Sequence, residues 1–549
     1  MSWPPIRAFL NMPKHLTGKG INIAVIDSRF PHHPDIVTNE RRNTYTVNTS
    51  DSNAEPQIMK QDEGPWSKGL HGLWTAAAAA GSGELSSGHY CGSAPEANLF
   101  LLQTGSFYTA DDIDTKIGRA LSWLKLNWGK YEIRGVVLTV VSARDTGLLP
   151  WQADPIRVLC EELAEDGLLI VSSVGNTKEL TCDGPASSPS VLSVGGVIVP
   201  ENGDIQDANP YHCCSGITFE GKWVPEILAP AENIVLPMPF VSEAERMNHF
   251  TAPYDELPYG YARTEGTSFS GPIILGAAAC IWQAHPEWTA SQVRVTMLES
   301  CYTNPLWDSL HSGLINVAAA MDFEFSHQKQ SKPLSTFDHF QILKQKKVTE
   351  QLAVLGDDKE GLGYEAVLSS NIEADAAEIV NQLRTFTWHI AYQVRAASIL
   401  RLSTIPDISL ITELHSLLKD ESKYVRMAAL HVLNNLPNNW EEFTDELIRL
   451  FTDADPNIRY CTMKLATQNK NIRFVNPLIL GLMNDALDQS VSTFGAACEA
   501  LEAITGLSFP PTPEWKEGQC WYSDRSTEAR LSIVHQWLKW EDRDLAIVN

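Results

Sequence analysis

Three segments of this sequence carry the residue types that perform nucleophilic acyl transfer. Ser268 lies in TEGTSFSG, just before an apolar run rich in small residues that predicts a buried helix. Asp27 ends the apolar segment INIAVID, and His71 opens the helical pattern HGLWTAAAAA. A serine hydroxyl is a weak nucleophile at neutral pH and needs a histidine base, which a carboxylate orients in turn. The sequence therefore predicts an Asp–His–Ser triad, although small polar residues with glycine are also ordinary turn chemistry.

Asn176 adds a group that would stabilise negative charge. The segment LLIVSSVGN predicts a strand whose carboxyl end leads into Gly175 and Asn176. In an open α/β sheet, ligands bind at this end of the strands. A side-chain amide at a developing oxyanion is worth about 10²–10³ in rate, and the free N–H groups at a helix N-terminus also favour negative charge. We therefore expect Asn176 to act as an oxyanion-hole donor.

The first ~325 residues alternate short β-branched runs with helical patterns, which predicts an α/β domain with a mainly parallel sheet. Strands are predicted in INIAVID, ANLFLLQT, GVVLTVVSA, GLLIVSSVGN, PSVLSVGGVIV and EILAPAENIVLP. Their unbroken hydrophobicity is typical of parallel strands that helices cover on both faces.

Residues 20 to about 320 resemble the subtilisin-like serine peptidases in motif order, spacing and context. The motifs that carry the resemblance are AVIDSRFPHHPDI, HGLWTAAAAAG and GTSFSGP, with GSAPEANLFLLQ and PSVLSVGGV as connecting strands. The resemblance implies a three-layer fold in which Asp27 orients the base and His71 is the base and later the acid. It also implies that Ser268 is the nucleophile, and that Asn176 and the Ser268 N–H form the oxyanion hole.

The sequence departs from the family's motifs beside the catalytic positions. Arg29 stands where the family usually has glycine, and Leu73-Trp74 stand where it has Thr-His. Ser270-Gly271 replace the usual Ala-Ser or Ala-Ala before the proline. None of these changes removes a catalytic group, but Arg29 and Trp74 would reshape the wall near the site or restrict entry.

The resemblance also implies where substrate would bind. It places Ser142 and Ala143, in VVSARD, at the edge of the primary specificity pocket, in a register that is ambiguous by one residue. Gly175 is a third substrate-binding candidate. Structural calcium is common in the family, but no ligands can be assigned here, and we expect no cofactor to be required.

Composition limits the classes of partner. The 549-residue chain is 44% hydrophobic and 20% charged, which is typical of a globular protein of at least two domains. Its net charge of −25 argues against nucleic-acid binding, and no apolar run approaches the roughly 18–20 residues of a membrane span. Scattered cysteines and the lack of a secretory signal favour the cytoplasm. Only 26 residues precede Asp27, too few for a folding prodomain, so we expect control by other means.

The last third of the chain contains a repeated sequence motif. The segments AYQVRAASILRL, SKYVRMAALHVL, DPNIRYCTMKLA and DQSVSTFGAACEAL align on Val394, Val425, Ile458 and Val491, at intervals of 31, 33 and 33 residues. Such periods predict a solenoid of paired helices, and the pattern resembles short HEAT repeats. In those repeats an arginine after the branched residue ties one repeat to the next, here Arg395, Arg426 and Arg459. The fourth unit has Ser492 instead, as a terminal cap would. An ordinary helical bundle would fit the periodicity but not the recurring anchor.

These patterns predict a peptidase domain at 1–325, a linker or interdomain helix at 326–360 and a HEAT-like α-solenoid at 361–549. The function they favour is an intracellular serine endopeptidase acting on a protein or peptide, with the solenoid recruiting substrate or a regulatory protein. Limited proteolysis in a bacterial defence or precursor-maturation system would suit this architecture. The alternative is a scaffold that uses the peptidase fold only for binding, and a general degradative peptidase is a third reading.

Overall fold

A computed structural model shows an α/β unit followed by a helical unit. Along the chain, the first compact unit ends at Asp338 and the second begins at His339, inside a helix that spans Thr336–Lys344. No helix in the described part of the chain is long and apolar enough to cross a membrane. The structure describes residues 3–50, 54–55, 57–58, 70–105, 110–140, 147–177, 184–238, 257–258, 260–325, 336–346, 363–370, 376–406, 408–436, 440–487, 491–509 and 527–548.

The α/β unit is built on one large sheet. Eight strands run parallel in the order β14-β11-β7-β6-β5-β1-β4-β2, and β3 and β8 pair antiparallel with β2 and β7. Two short ribbons, β9–β10 and β12–β13, lie outside this sheet. The strands are β1 Asn22–Asp27, β2 Thr44–Asn48, β3 Gln57–Ile58, β4 Asn98–Gln103, β5 Ile133–Leu138, β6 Leu169–Ser173, β7 Leu192–Ile198, β8 Asn209–Pro210, β9 Gly216–Ile217, β10 Trp223–Val224, β11 Ile227–Glu232, β12 Ile234–Pro237, β13 Tyr261–Thr264 and β14 Gly313–Leu314.

Helices cover both faces of the sheet and make three layers. Alternate residues of β1 divide between two apolar cores: Ile23 and Val25 face one, Ala24 and Ile26 the other. The first core includes α1, α2, α5 and α6, and the second includes α3 and α4. The helices of this unit are α1 Ile6–Phe9, α2 Leu70–Ala80, α3 Ala110–Asn127, α4 Pro155–Glu165, α5 Thr267–Ala284, α6 Ala290–Glu299 and α7 Val317–Met321. The predicted three-layer fold is confirmed.

One predicted strand is divided. The segment EILAPAENIVLP forms β11 and β12, which Asn233 separates with a φ of 61°. β11 stays in the large sheet, whereas β12 leaves it and pairs with β13, the strand that leads to α5. The positive φ turns the chain out of the sheet, and asparagine tolerates that conformation better than most residues.

The second unit consists of helices. Apart from its first helix, which contains the junction, most of them are separated by short segments and form successive pairs in contact, such as Ala376–Phe386 with Tyr392–Ser403. Their bounds are α8 Thr336–Lys344, α9 Gly363–Ser369, α10 Ala376–Phe386, α11 Tyr392–Ser403, α12 Ile411–Leu417, α13 Lys423–Asn435, α14 Thr444–Leu450, α15 Pro456–Asn469, α16 Val475–Leu487, α17 Val491–Thr505 and α18 Thr527–Val548.

The predicted anchors lie on the second helix of each pair. Val394, Val425 and Ile458 are all at most 1% exposed, and the arginine that follows each anchor reaches an aspartate 25–27 residues further along. The contacts are Arg395–Asp420 at 2.8 Å, Arg426–Asp453 at 2.7 Å and Arg459–Asp485 at 3.4 Å.

Each arginine also donates a hydrogen bond to a backbone carbonyl in the turn before its own helix. Its Nη1 donates to the backbone carbonyl six residues earlier, at 2.8 Å in all three repeats. Each of these arginines therefore joins the turn before its own helix to an aspartate near the end of the next α-helix.

Replacing Arg426 with alanine should lower the free energy of unfolding of the helical unit by about 3–5 kcal/mol, because Asp453 would be left buried without its partner. The two side chains are only 11% and 6% exposed. Urea denaturation followed by circular dichroism measures the change. Arg473→Ala is the matched control, since Arg473 and Asp445 are 59% and 80% exposed and such pairs contribute about 0–1 kcal/mol. Equal losses of unfolding free energy in the two variants would contradict the stabilising role given to the buried Arg426–Asp453 pair.

Candidate active site

The carboxyl ends of three neighbouring strands carry the polar groups of the candidate site. In the register of β1 and β5, Ile26 pairs with Leu138, so Asp27 and Thr139 follow at the same edge. Leu138 pairs in turn with Ser172 of β6, which leads to Gly175 and Asn176. Sequence-predicted Asp27 and Asn176 thus lie at one edge of the sheet, two strands apart.

Two packed helices bring the other two predicted residues to this edge. His71 is the second residue of α2, and Ser268 is the second residue of α5. Both helices are rich in buried small side chains, and they approach so closely that a Cβ built at Gly276 of α5 would clash with Ala79 O of α2. Small residues let helix backbones approach closely, so the runs AAAAA and GAAAC place the first turns of both helices side by side.

Asp27 and His71 are directly joined. His71 Nδ1 lies 2.7 Å from Asp27 Oδ2, and because an ionised carboxylate only accepts, Nδ1 carries the hydrogen. Asp27 is 1% exposed, whereas the His71 side chain is 43% exposed. Nε2 is therefore the ring nitrogen left for a reacting hydroxyl.

The two groups shift each other's pKa. Burial disfavours the ionised form of Asp27, but the charge of His71 and hydrogen bonds from His71, Thr139 and the Ser28 N–H outweigh it and lower the pKa of Asp27. Burial likewise disfavours imidazolium, but the charge of Asp27 and its hydrogen bond outweigh burial and raise the pKa of His71 above its ordinary value. A base needs neutral His71, so its activity would rise with pH through this raised pKa.

Phe269, the residue after Ser268, packs against the ring of His71. The ring of Phe269 lies 5.9 Å from the His71 ring and 5.7 Å from Trp74, edge to face. Trp74 Nε1 donates to Pro237 O at 3.0 Å, which fixes this wall to β12. Within the described residues Ser268 and His71 are not hydrogen-bonded. Such catalytic bonds commonly tighten only with substrate.

Asn176 is oriented by the residue before Ser268. Its Oδ1 accepts from the backbone N–H of Thr267 at 2.7 Å and from the Thr267 hydroxyl at 2.9 Å. The same hydroxyl accepts from Gly175 N at 3.1 Å. Since a backbone N–H can only donate, the amide oxygen must face Thr267, and Nδ2 is left as the donor.

Glycine at position 266 keeps the space beside these donors clear. Its φ is 140°, and a Cβ built there would lie 3.6 Å from Asn176 Nδ2 and 3.8 Å from the Ser268 backbone N. Asn176 Nδ2 and the Ser268 backbone N therefore both lie within 4 Å of one point, which a side chain at position 266 would occupy. That arrangement can bind an oxyanion.

Comparison with known proteins identifies this architecture. The model of the subtilase family matches residues 18–314, more than half of the chain. The chain belongs to the subtilase family. Serine protease AprX of Bacillus subtilis is 29% identical over 291 residues, which cover 51% of this chain and 60% of AprX. Subtilisin E of Bacillus subtilis is 27% identical over 317 residues, covering 55% and 66%. The chain thus spans less than two thirds of the length of these relatives.

Two solved structures are among those similar to this chain. The prenylagaramide maturation protease PagA is 19% identical, covers 57% of this chain and 97% of its own, and gives a TM-score of 0.41. Fervidolysin of Fervidobacterium pennivorans, a keratinolytic enzyme related to subtilisin, is 16% identical, covers 59% and 46%, and gives a TM-score of 0.43.

Of the three residues predicted to bind substrate in this subtilase, the structure describes one. Ser142 and Ala143 lie outside the described residues. Gly175 is described: its φ is 104°, and a Cβ there would lie 2.8 Å from Cys214 Sγ. Among the described residues, no three His, Cys, Asp or Glu side chains gather to hold a metal ion.

Three threonines at the site were not predicted from the sequence. Thr267 orients Asn176, while the hydroxyls of Thr75 and Thr139 lie 3.1 and 2.8 Å from Asp27 Oδ2. The sequence contained a partial signal for Thr75, which lies one helical turn after His71. Thr139 lies inside the predicted strand GVVLTVVSA, and only the structure ends that strand at Leu138.

Proposed function

We propose that this subtilase is a serine endopeptidase that cleaves a protein or peptide through an acyl-enzyme on Ser268. The observation that carries the proposal is the 2.7 Å bond from His71 Nδ1 to the buried carboxylate of Asp27, at the same sheet edge as Ser268 and Asn176. Asp27 holds the tautomer that leaves Nε2 free to accept a proton. The raised pKa of His71 also makes its neutral form a stronger base.

The proposed reaction has two halves. Ser268 Oγ attacks the scissile carbonyl carbon and transfers its proton to His71 Nε2, and the oxyanion binds Asn176 Nδ2 and the Ser268 N–H. The C–N bond then breaks, and His71 gives the proton to the leaving amine. Water next attacks the ester with His71 again as base, which releases the acid product and restores Ser268. The chain's own residues supply every group in this cycle, so we propose that no cofactor is required.

Replacing Asn176 with alanine tests the oxyanion hole. We expect kcat for a cleaved peptide to fall by about 10²–10³ with little change in KM, because the lost donor acts on the transition state; this magnitude was itself established on a subtilisin. Asn22→Ala is the control: Asn22 Nδ2 also donates, to Tyr131 O at 2.8 Å, but Asn22 lies at the amino end of β1, opposite the end that carries Asp27. A rise in KM at constant kcat would contradict the role given to Asn176.

The helical unit would serve recognition. We propose domain bounds of 1–325 and 361–549, joined by a linker or helix, with the second domain a HEAT-like solenoid; the division at Asp338–His339 and the arginine–aspartate contacts support this. Solenoids offer long surfaces for proteins. We propose that this one recruits a dedicated substrate or a regulatory protein.

The cellular setting follows from that recognition. We propose limited proteolysis in the cytoplasm, in a bacterial defence or precursor-maturation system; the described cysteines are free thiols, which suits a reducing compartment. Full-length Ser268→Ala protein should capture its substrate without cutting it. A partner that binds wild-type protein stably and stays uncut would instead favour the scaffold reading. Efficient digestion of unfolded casein would favour a general degradative peptidase.

A further inference from the structure

One oxygen of the buried aspartate receives hydrogen bonds from three side chains. Asp27 Oδ2 lies 2.7 Å from His71 Nδ1, 2.8 Å from Thr139 Oγ1 and 3.1 Å from Thr75 Oγ1. The other oxygen, Oδ1, accepts from the backbone N–H and the hydroxyl of Ser28, at 2.6 and 3.1 Å. Thr75 and Thr139 are 0% and 7% exposed, so water does not compete for their hydroxyls. His71 therefore shares Asp27 Oδ2 with the hydroxyls of Thr75 and Thr139.

Each threonine hydroxyl has a second acceptor besides the carboxylate, and distance separates the two acceptors only for Thr139. Thr139 Oγ1 is 3.2 Å from Ile26 O, farther than its 2.8 Å to Asp27. Thr75 Oγ1 is 3.0 Å from Gly72 O and 3.1 Å from Asp27. Hydrogen bonds to an ionised acceptor are about twice as strong as those between neutral groups. While Asp27 is ionised, both hydroxyls therefore donate to it.

The two hydroxyls come from elements that also carry the catalytic candidates. Thr75 lies four residues after His71 on α2, one turn further on the same face. Thr139 directly follows β5, whose last residue pairs with Ile26. The carboxylate is consequently fixed against both the helix that bears the base and the neighbouring strand.

We propose that Thr75 and Thr139 are positioning residues of the active site, whose hydroxyls hold Asp27 Oδ2 beneath His71 Nδ1 and share its negative charge. The inference rests on the proposed function of Asp27 and His71. It adds two specific side chains, neither of which touches substrate, to the groups that set the orientation and basicity of the base.

The hydrogen bonds from the two threonines to Asp27 should change the pKa of His71 in one direction. A hydroxyl that donates to Oδ2 takes up part of the negative charge that would otherwise stabilise imidazolium. Among the described residues, Asp27 is the charged group that acts on His71, and His71 is the one that acts on Asp27. Removing the hydroxyls should therefore strengthen the pull of Asp27 on the His71 proton and move the acid limb of activity to higher pH.

The test uses Thr75→Val, Thr139→Val and the double variant in the full chain. We expect kcat/KM to fall about tenfold for each single variant, the size of one charge-assisted hydrogen bond. The double variant should lose less than the product, because both hydroxyls bind one oxygen. KM should change little, the acid limb of kcat/KM should move to higher pH, and serine at either position should restore activity and the pH profile.

Thr296→Val is the matched structural control. Thr296 is 0% exposed and its hydroxyl donates to Val293 O at 2.9 Å, at the same three-residue spacing at which Thr75 Oγ1 lies 3.0 Å from Gly72 O, but it has no carboxylate acceptor among the described hydrogen bonds. It lies on α6, away from the site. Loss of thermal stability without a shifted pH profile in Thr75→Val or Thr139→Val, as in this control, would overturn the positioning role.

A spectroscopic readout separates this inference from the proposed function. The His71 Nδ1 proton should give a downfield proton resonance that disappears in Asp27→Asn, and its titration should move to higher pH in both valine variants, whether or not peptide is cleaved. If the wild-type protein proved inactive while this titration still moved, the proposed function would fail and the positioning role would stand. An unchanged titration in both valine variants would refute the positioning role.

Discussion

Replacing Ser268 with alanine should reduce kcat for peptide hydrolysis by about 10⁶, leaving only the part of catalysis that comes from binding and the oxyanion hole; this figure comes from subtilisin itself. The reason is chemical: without Oγ no acyl-enzyme can form, and His71 then has no hydroxyl to activate. The measurement is the turnover of a fluorogenic peptide library, since the cleavage preference is not assigned by the described residues.

Ser270→Ala is the matched control for this substitution. Ser270 lies two residues further along α5, is 0% exposed and donates to Pro230 O at 2.9 Å. Its loss should cost some stability but leave kcat within several-fold of the wild-type value. If Ser268→Ala kept activity comparable to Ser270→Ala, Ser268 would not be the nucleophile.

Replacing Asp27 with asparagine should lower kcat by about 10⁴, because an amide no longer holds His71 in the tautomer that leaves Nε2 as acceptor. The pH profile should change as well. Without the charge of Asp27, burial of the ring dominates, so the pKa of His71 falls and the acid limb of kcat/KM moves to lower pH. This is the direction opposite to that expected for the threonine variants.

A second buried carboxylate controls for the Asp27 substitution. Asp35 is 0% exposed, accepts from the Tyr261 hydroxyl at 2.8 Å and has its pKa raised to about 6 by burial. Asp35→Asn should keep a plateau kcat near the wild-type value. An equal loss in both variants would mean that Asp27 supports the fold rather than His71.

Much of the candidate site could be predicted because each catalytic candidate lies at the end of a well-patterned element. Asp27 closes an apolar strand, His71 and Ser268 open helices rich in small residues, and Asn176 follows a strand. The threonines could not be predicted in the same way. Whether Thr139 meets Asp27 depends on the register of β5 against β1, and Thr267 meets Asn176 only once α5 packs on the sheet.

The fold shows the same division. The strands are apolar on both faces, so their sequences show no alternation of polar and apolar residues that would reveal which strands are neighbours. The strands could therefore be located but not ordered. The sequence also did not show that Asn233 turns β12 out of the sheet. In the helical unit, the period of the anchors predicted paired helices, and the resemblance to HEAT repeats implied a role for the arginines that follow the anchors. Their partners, Asp420, Asp453 and Asp485, are 25–27 residues distant and became evident only from the packing of successive helix pairs.

The most direct test of the central claim is intact-mass labelling of the purified full chain with a fluorophosphonate, followed by peptide mapping. The account predicts one adduct per chain on Ser268, absent in Ser268→Ala and retained in Ser270→Ala. Such a result requires an activated serine beside a formed oxyanion hole. An unlabelled wild-type protein, in the presence as well as the absence of partners captured by the helical unit, would contradict the account and leave the peptidase fold as a scaffold.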